Sequence, residues 1–319
     1  YPCSLGIWDD KYIPGLARLA SAIKQDGCRA GLHIVHAGKY APSSLIGAQA
    51  VSPSAVLSNW TRETPRELTK EEIKALVMDF ARAVGRAKKA GFDLVEFNAY
   101  SGYLVREFLS PITNKRQDEY GGELLNRMRF LLEVIAESRK EVGAGYPLIV
   151  KISGDEMLPG GNTLNEARII ARELEKAGVQ ALHVSPGGHE TSQPFSPGFV
   201  PKGSFLHLAS AIKEEVRLPV ITAHIGDPAL AEKALSEGKA DLIAFGRQFI
   251  ADPSFPLKLK SGKIQEIRRC LRCCQGCYDQ VFANQPVTCL VNPAVGREKE
   301  FDIKYADQKK KIMVVGAGP

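Results

Sequence analysis

No run of eighteen apolar residues occurs in this 319-residue chain, so the sequence offers no membrane-spanning helix. The opening YPCSLGIWDDKY has neither a basic start nor an apolar stretch, and it does not read as a secretory signal. Low-complexity tracts are missing as well, and 44% hydrophobic with 24% charged residues is an ordinary globular composition. Charge of one sign is nowhere concentrated except at Lys309, Lys310 and Lys311, and the net +6 is otherwise spread along the chain. A solvated surface is therefore expected, with no nucleic acid and no membrane as partner, while anionic ligands such as phosphates remain compatible. Before residue 270 the only cysteines are Cys3 and Cys28, which read as core residues. The other five fall between 270 and 289, a crowding that excludes a secreted disulfide framework and points to a reducing compartment, the cytoplasm.

What is present is an alternation of helical and strand patterns from residue 13 to about 250. A helix over 13–27 ends at Gly27, a strand follows over 29–38, and then comes a long polar loop with prolines. Residues 67–91 open with a capping box, Thr69 and Glu72. They place Ile73, Leu76, Val77, Phe80 and Val84 at helical spacing and close at Gly91. The series continues with strand 92–99, helix 126–143, strand 147–153, and helix 162–178 with a second box, Thr163 and Glu166. Strand 181–186, helix 204–216, strand 218–225, helix 227–238 and strand 241–247 complete it.

Apolar strands separated by amphipathic helices imply a parallel sheet covered by helices. Equal βα units without a Gly-rich first turn favour an α/β TIM (β/α)8 barrel over a doubly wound sheet. Six strands are legible and the chain opens in mid-unit, so the first two strands are expected to be absent from this sequence. The end KKKIMVVGAGP reads as a charged start, a buried strand and the first half of a G-x-G-x-x-G turn, the opening of a dinucleotide-binding unit. The expected organisation is a barrel over 1–262, a cysteine segment over 263–300, and a linker with the first strand of a Rossmann-like domain over 301–319.

In CLRCCQGCYDQVFANQPVTCLVNP the spacing is Cys270-x2-Cys273-x3-Cys277-x11-Cys289, with Cys274 set aside. Four thiolates at such distances can hold zinc or a [4Fe-4S] cluster. Structural zinc more often uses paired C-x2-C hooks, so this spacing leans toward iron. Cys274 reads as a small buried residue or a spare thiol.

A TIM-type barrel carries its active site at the C-terminal ends of its strands. Those ends hold His33, Asn98 to Tyr103, Lys151, Ser185 to His189, His224, and Gly246 with Arg247. Phosphate is expected at the last two units, near glycine backbone and a cation, which Gly246 and Arg247 fit. Each candidate also has a plainer reading: a core histidine for His33, a rim aromatic for Tyr103, a solvated loop residue for His189, a solvated arginine for Arg247. Asp155 and Glu156 read as carboxylates that order a loop.

The segment GFDLVEFNAYSGYLVREFLSPITNKRQDEYGGELLNRMRF, together with the cysteine block and the closing GAGP, resembles the FMN-dependent old yellow enzyme superfamily. Within it, the pairing is similar to the bacterial 2,4-dienoyl-CoA reductase and 2-enoate reductase branch. The resemblance implies an FMN-binding barrel, a [4Fe-4S] cluster on Cys270, Cys273, Cys277 and Cys289, and an FAD- and NAD(P)H-binding module begun by Gly316 and Gly318. It implies an electron path from NAD(P)H to FAD, through the cluster to FMN, then hydride transfer to an α,β-unsaturated or 2,4-dienoyl acid or thioester, which can be a CoA ester. For FMN it points to His33 and Lys151, standing where relatives have glutamine and arginine, to His224 and Gly226 on a loop one residue shorter, and to Gly246 and Arg247. The His-x-x-His or His-x-x-Asn pair of many superfamily members is absent here, as it is in the dienoyl-CoA branch. In that branch a tyrosine and a later histidine supply the proton, and they match Tyr103 and His189. Two other readings stay open: an amine dehydrogenase of the trimethylamine dehydrogenase type, and a non-redox barrel stapled by zinc.

Overall fold

The computed structural model describes residues 4–191, 197–301 and 307–316. The chain divides into two compact units, Tyr1–Phe245 and Gly246–Pro319. In the first, a parallel sheet is built from β1 (Gly31–Ile34), β4 (Leu94–Ala99), β5 (Leu148–Asp155), β6 (Ala181–Pro186), β7 (Val220–Thr222) and β8 (Leu242–Ile243), hydrogen-bonded in that order. All five pairings are parallel, so the six strands read from the sequence follow one another around a curled sheet, the architecture of a TIM barrel. The covering helices are α1 (Ile13–Lys24), α3 (Lys70–Lys89), α5 (Leu124–Val142), α6 (Leu164–Lys176), α7 (Leu206–Lys213) and α8 (Pro228–Ser236).

Local chemistry sets these boundaries. Thr69 accepts from the Glu72 N–H at 3.2 Å while Glu72 accepts from the Thr69 N–H at 2.8 Å, so both capping-box bonds expected for α3 form. Thr163 and Glu166 do the same for α6. Along β5 burial alternates strictly: Leu148, Val150 and Ile152 lie under the helices, and Ile149, Lys151 and Ser153 face the concave side. Beneath the helices Phe108 stacks on Phe130 at 4.4 Å, and Phe80 meets Phe130 edge-on at 6.0 Å. Both Phe108 and Phe130 are fully buried. Phe130→Ala is therefore expected to cost ~3–5 kcal/mol, read as a lower midpoint in urea with an unchanged slope.

Three sequence expectations change. The stretch after 38 is more than a loop, since it carries a 3-10 turn Gly38–Tyr40, a short helix α2 (Ser43–Ile46), and the pair β2 (Val51–Ser52) and β3 (Arg66–Glu67). A short helix α4 (Leu104–Leu109), fully buried, follows β4 directly. Its single turn and a half is too brief for a periodicity to show. The strand expected at 312–315 is not formed: Ile312, Met313, Val314 and Val315 are all more than three-quarters exposed and belong to no strand. A strand gains its hydrogen bonds only from a neighbouring strand, and none is paired with this run among the described residues.

The second unit opens with α9 (Arg247–Ala251) and α10 (Phe255–Lys260) and reaches the cysteine segment, where a π-helical turn, Gln275–Asp279, leads into α11 (Gln280–Phe282). Among the described residues no helix is long and apolar enough to cross a membrane.

Candidate active site and cysteine pocket

Ser101, at φ 64°, and Gly102, at φ 100°, turn the chain sharply out of β4 so that Tyr103 caps the start of α4. Only glycine fits at 102, because a Cβ there would lie 2.5 Å from the Tyr40 hydroxyl. After β6 the chain bridges back, with Ser101 paired to Gly188 and the His189 N–H donating to the Ser101 carbonyl at 3.0 Å. The two loops thus bring Tyr103 Oη and His189 Nε2 to 3.1 Å across 86 residues of sequence. Burial lowers the His189 pKa, the Glu190 carboxylate opposes that, and Arg106 reinforces it.

Residues that sequence reasoning passed over complete this corner. Tyr40 packs edge-on against Tyr103 at 5.9 Å and His189 at 5.5 Å, and Trp60 lies 5.3 Å from His189. Lys39 is 2% exposed and pairs with Glu190 at 2.9 Å. One signal was available: Trp60 is one of only two tryptophans and sits in a polar loop too long to be a mere connection.

Beneath the corner Glu107 is fully buried, accepting from Ser52 Oγ at 2.7 Å and the Lys39 N–H at 2.9 Å. Burial pushes its carboxyl up to about 8, outweighing both hydrogen bonds. An unfolded glutamate ionises near ~4.3. Between these values the folded protein holds the extra proton, so Glu107 favours folding at low pH and its contribution declines as pH rises toward 8. Urea titrations at a series of pH values should show this slope in the parent protein, and Glu107→Gln should flatten it. Nearby, Glu156 accepts from Arg106 at 2.8 Å, Ser110 Oγ at 2.7 Å and Asn162 Nδ2 at 3.0 Å, ties that hold a loop in place.

The concave face of the sheet is polar. His33, expected as a flavin contact, places Nδ1 2.7 Å from Glu96, and His183 reaches the other Glu96 oxygen at 2.9 Å. Burial would raise the Glu96 carboxyl, but His183 and His33 outweigh it and hold it far below the usual range. Lys151 Nζ sits 4.9 Å over the Tyr100 ring, its pKa lowered by burial and partly restored by Glu96. On β6, buried His183 Nε2 and Ser185 Oγ have no hydrogen-bond partner among the described residues. Two polar atoms left so would cost ~1–3 kcal/mol each. They fit a ligand that brings its own polar edge onto this face, as a flavin ring does. After β7, His224 at φ 63° and Gly226 at φ 68° make a tight turn around buried Ile225.

In the second unit Cys270, Cys273, Cys274, Cys277 and Cys289 line one pocket together with Arg247. Two features bring the distant Cys289 in. The Thr288 N–H donates to the Gly276 carbonyl at 2.6 Å, and Gly276 has no side chain to obstruct the approach, since a Cβ there would meet the Thr288 oxygen at 2.5 Å. The Arg272 N–H points at Cys270 Sγ at 3.4 Å, a backbone donor on that sulfur. Arg247, expected at phosphate, places Nη1 3.1 Å from Cys274 Sγ and stacks over Tyr278 at 5.6 Å. Gly246 caps α9 just before it. Cys274, left unassigned by spacing, is the cysteine that Arg247 holds. Among the described residues no cysteines are joined as a disulfide, and no three His, Cys, Asp or Glu side chains converge on a single-ion centre. Gly316 has φ 79°, while Gly318 and Cys3 lie outside the described residues.

Comparison with known proteins places this geometry. A metal reductase from Desulforamulus reducens is 49% identical over 97% of this chain and 47% of its own length. A cinnamate reductase from Clostridium sporogenes is 38% identical over 88% and 45%. The solved structure of a 2-naphthoyl-CoA reductase in complex with 2-naphthoyl-CoA superposes with a TM-score of 0.94 at 36% identity, covering 98% of this chain and 50% of that one. The chain spans about half the length of the curated relatives it matches. The profile of one family covers residues 1–266, the whole curled sheet with its helices, and on that match the chain belongs to the NADH:flavin oxidoreductase / NADH oxidase family.

Proposed function

We propose that this chain is the substrate-reducing part of an NAD(P)H-dependent ene-reductase, acting on the C=C bond of a conjugated acid or thioester. The observation that carries the reading is the approach of Tyr103 Oη to His189 Nε2 at 3.1 Å. The cinnamate reductase and 2-naphthoyl-CoA reductase relatives, whose names specify conjugated acyl substrates, support it.

FMN held on the concave face would supply hydride to the substrate carbon. Lys151 would give that face a cation, and His33, His183 and Ser185 would offer hydrogen bonds to the ring. His224 and Gly226, at the end of β7, are the proposed phosphate contacts of the first unit. The chain's own chemistry is proton delivery. Tyr103 would donate its phenolic proton to the carbon that carries the developing negative charge, and His189 would resupply it. Resupply runs through the imidazolium, which would pass its Nε2 proton to the phenolate and be reprotonated from solvent, and the burial that lowers the His189 pKa makes it a readier donor.

For the cysteine pocket we propose a [4Fe-4S] cluster on Cys270, Cys273, Cys277 and Cys289. Support comes from these four cysteines lining one pocket and from their C-x2-C-x3-C-x11-C spacing, which leans toward iron over paired-hook zinc. Such a cluster carries one electron at a time, as a relay from an FAD-bearing module would require. The full-length protein, purified anaerobically, should contain flavin and iron and should oxidise NAD(P)H when given cinnamate or 2-naphthoyl-CoA. A colourless protein with stoichiometric zinc would overturn the reading. Turnover of an amine in place of both acyl probes would favour the dehydrogenase reading.

A further inference from the structure

The pair formed by Lys39 and Glu190 lies next to the Tyr103–His189 contact and has no role in the proton path just described. Glu190 is the immediate neighbour of His189, and its side chain is 9% exposed. Its oxygens are fully engaged: Lys39 Nζ donates to Oε2 at 2.9 Å and to Oε1 at 3.2 Å, and the Asn59 N–H donates to Oε1 at 3.0 Å. Lys39 is itself fixed, its N–H on Glu107, its carbonyl accepting from Thr61 Oγ1 at 3.3 Å, and its ammonium 5.5 Å from the Tyr40 ring centre. Two charges so deeply buried are a costly way to pin a loop, and an apolar pair would serve as well or better. Their placement one residue from an imidazole suggests a different purpose.

We infer that Lys39 is a positioning residue which, by occupying the Glu190 carboxylate, keeps that carboxylate from capturing the His189 imidazole and so leaves His189 Nε2 to Tyr103. This rests on the reading of Tyr103 and His189 as the proton-delivering pair. A carboxylate without Lys39 would be a buried anion beside a basic ring. It would draw the imidazole toward itself and favour the protonated form. An ammonium without Glu190 would do the opposite. The groups facing His189 from the elements around it are Tyr103 and Arg106 at the start of α4, Lys39 and Tyr40 in the 3-10 turn, Trp60 in the excursion, and Glu190 in its own loop. Among the described residues the charges that set the His189 pKa are Glu190, which raises it, and Arg106, which lowers it, so changes at Lys39 and Glu190 act through the Glu190 carboxylate.

The test uses the full-length holoenzyme and reads the ionisation of His189 without any substrate. The rate of carbethoxylation of His189 by diethylpyrocarbonate is followed against pH by peptide mass spectrometry, since only the neutral ring reacts. Lys39→Met should move the midpoint up and Glu190→Gln should move it down, each by ~1 pH unit. The double variant, which removes both charges, should return to within ~0.3 units of the parent, and Lys39→Arg should restore the parent value. A loop that merely needs an anchor predicts no opposed shifts, so shifts of one sign in both single variants, or none, overturn the inference. If Lys39→Met fails to fold, Glu190→Gln and the double variant still decide. The second readout is the reoxidation of pre-reduced enzyme by cinnamate or 2-naphthoyl-CoA, where Glu190→Gln should slow the step ~10-fold at little change in KM. Opposed shifts in a protein that reduces neither probe would uphold the pairing and overturn the ene-reductase reading. An unchanged midpoint in an active enzyme would do the reverse.

Discussion

Tyr103→Phe in the full-length enzyme is expected to slow reduction of an enoyl or aroyl probe by ~10²–10³-fold while NAD(P)H-driven flavin reduction proceeds at the parent rate. The asymmetry arises because the phenol acts only on the substrate side. Rapid mixing separates the two half-reactions: the first needs no proton from Tyr103, whereas the second must quench the charge that hydride addition creates. The substitution removes one oxygen and leaves the edge-on packing of the ring against Tyr40 and His189 in place, so the fold should hold. The product is informative too, because a dienoyl probe protonated by water rather than at a fixed carbon should give a mixture of double-bond isomers. Parent-rate reduction by the variant would remove Tyr103 from the proton path.

Gly276→Ala and Cys289→Ala should each strip most of the iron from the protein, for different reasons. Cys289→Ala deletes a proposed ligand. Gly276→Ala leaves every ligand in place but adds a methyl 2.5 Å from the Thr288 carbonyl, so the strand of chain carrying Cys289 must retreat. Overpacking of this kind costs ~1–3 kcal/mol and cannot be relieved by a rotamer change, because the obstructing atom is backbone. Iron assays and the visible spectrum of anaerobically purified protein are the measurements. In both variants NAD(P)H should still reduce its own flavin while electron arrival at FMN stalls. A Gly276→Ala protein with full iron would mean that Cys289 is not held by the approach of Thr288 to Gly276.

The fold was legible because it repeats. Apolar strands alternate with helices, α3, α6 and α8 carry side-chain caps, and the Thr69/Glu72 and Thr163/Glu166 boxes form as their spacing implies. The pairing of Tyr103 with His189 could be named only through family resemblance, since nothing in the spacing of residues 86 apart says that they meet. What stayed hidden depends on three-dimensional crowding. Lys39 reads as one more surface cation until the sheet buries it, and Glu107 as one more helix carboxylate until α4 proves buried along its whole length. The partner of His33, Glu96, sits on the neighbouring strand where only register reveals it. Tertiary context also decided the run 312–315, whose β-propensity is high and whose strand neighbour is not among the described residues.

The small β2–β3 pair has a practical consequence. It draws the chain together at Ala50–Ser52 and Arg66–Leu68, with the Arg66 N–H on the Ala50 carbonyl at 2.8 Å and the Leu68 N–H on the Ser52 carbonyl at 3.0 Å. Everything between those rungs, Trp60 included, lies outside the main sheet and is pinned to the rest of the unit at a few points: Ser54 Oγ accepts from the Lys115 N–H, the Asn59 N–H donates to Glu190, and Thr61 Oγ1 donates to the Lys39 carbonyl. A library that varies Trp60 while keeping Ser54, Asn59 and Thr61 would therefore remodel the wall beside His189 and leave the sheet, the buried phenylalanines and the cysteine pocket with their own sequence.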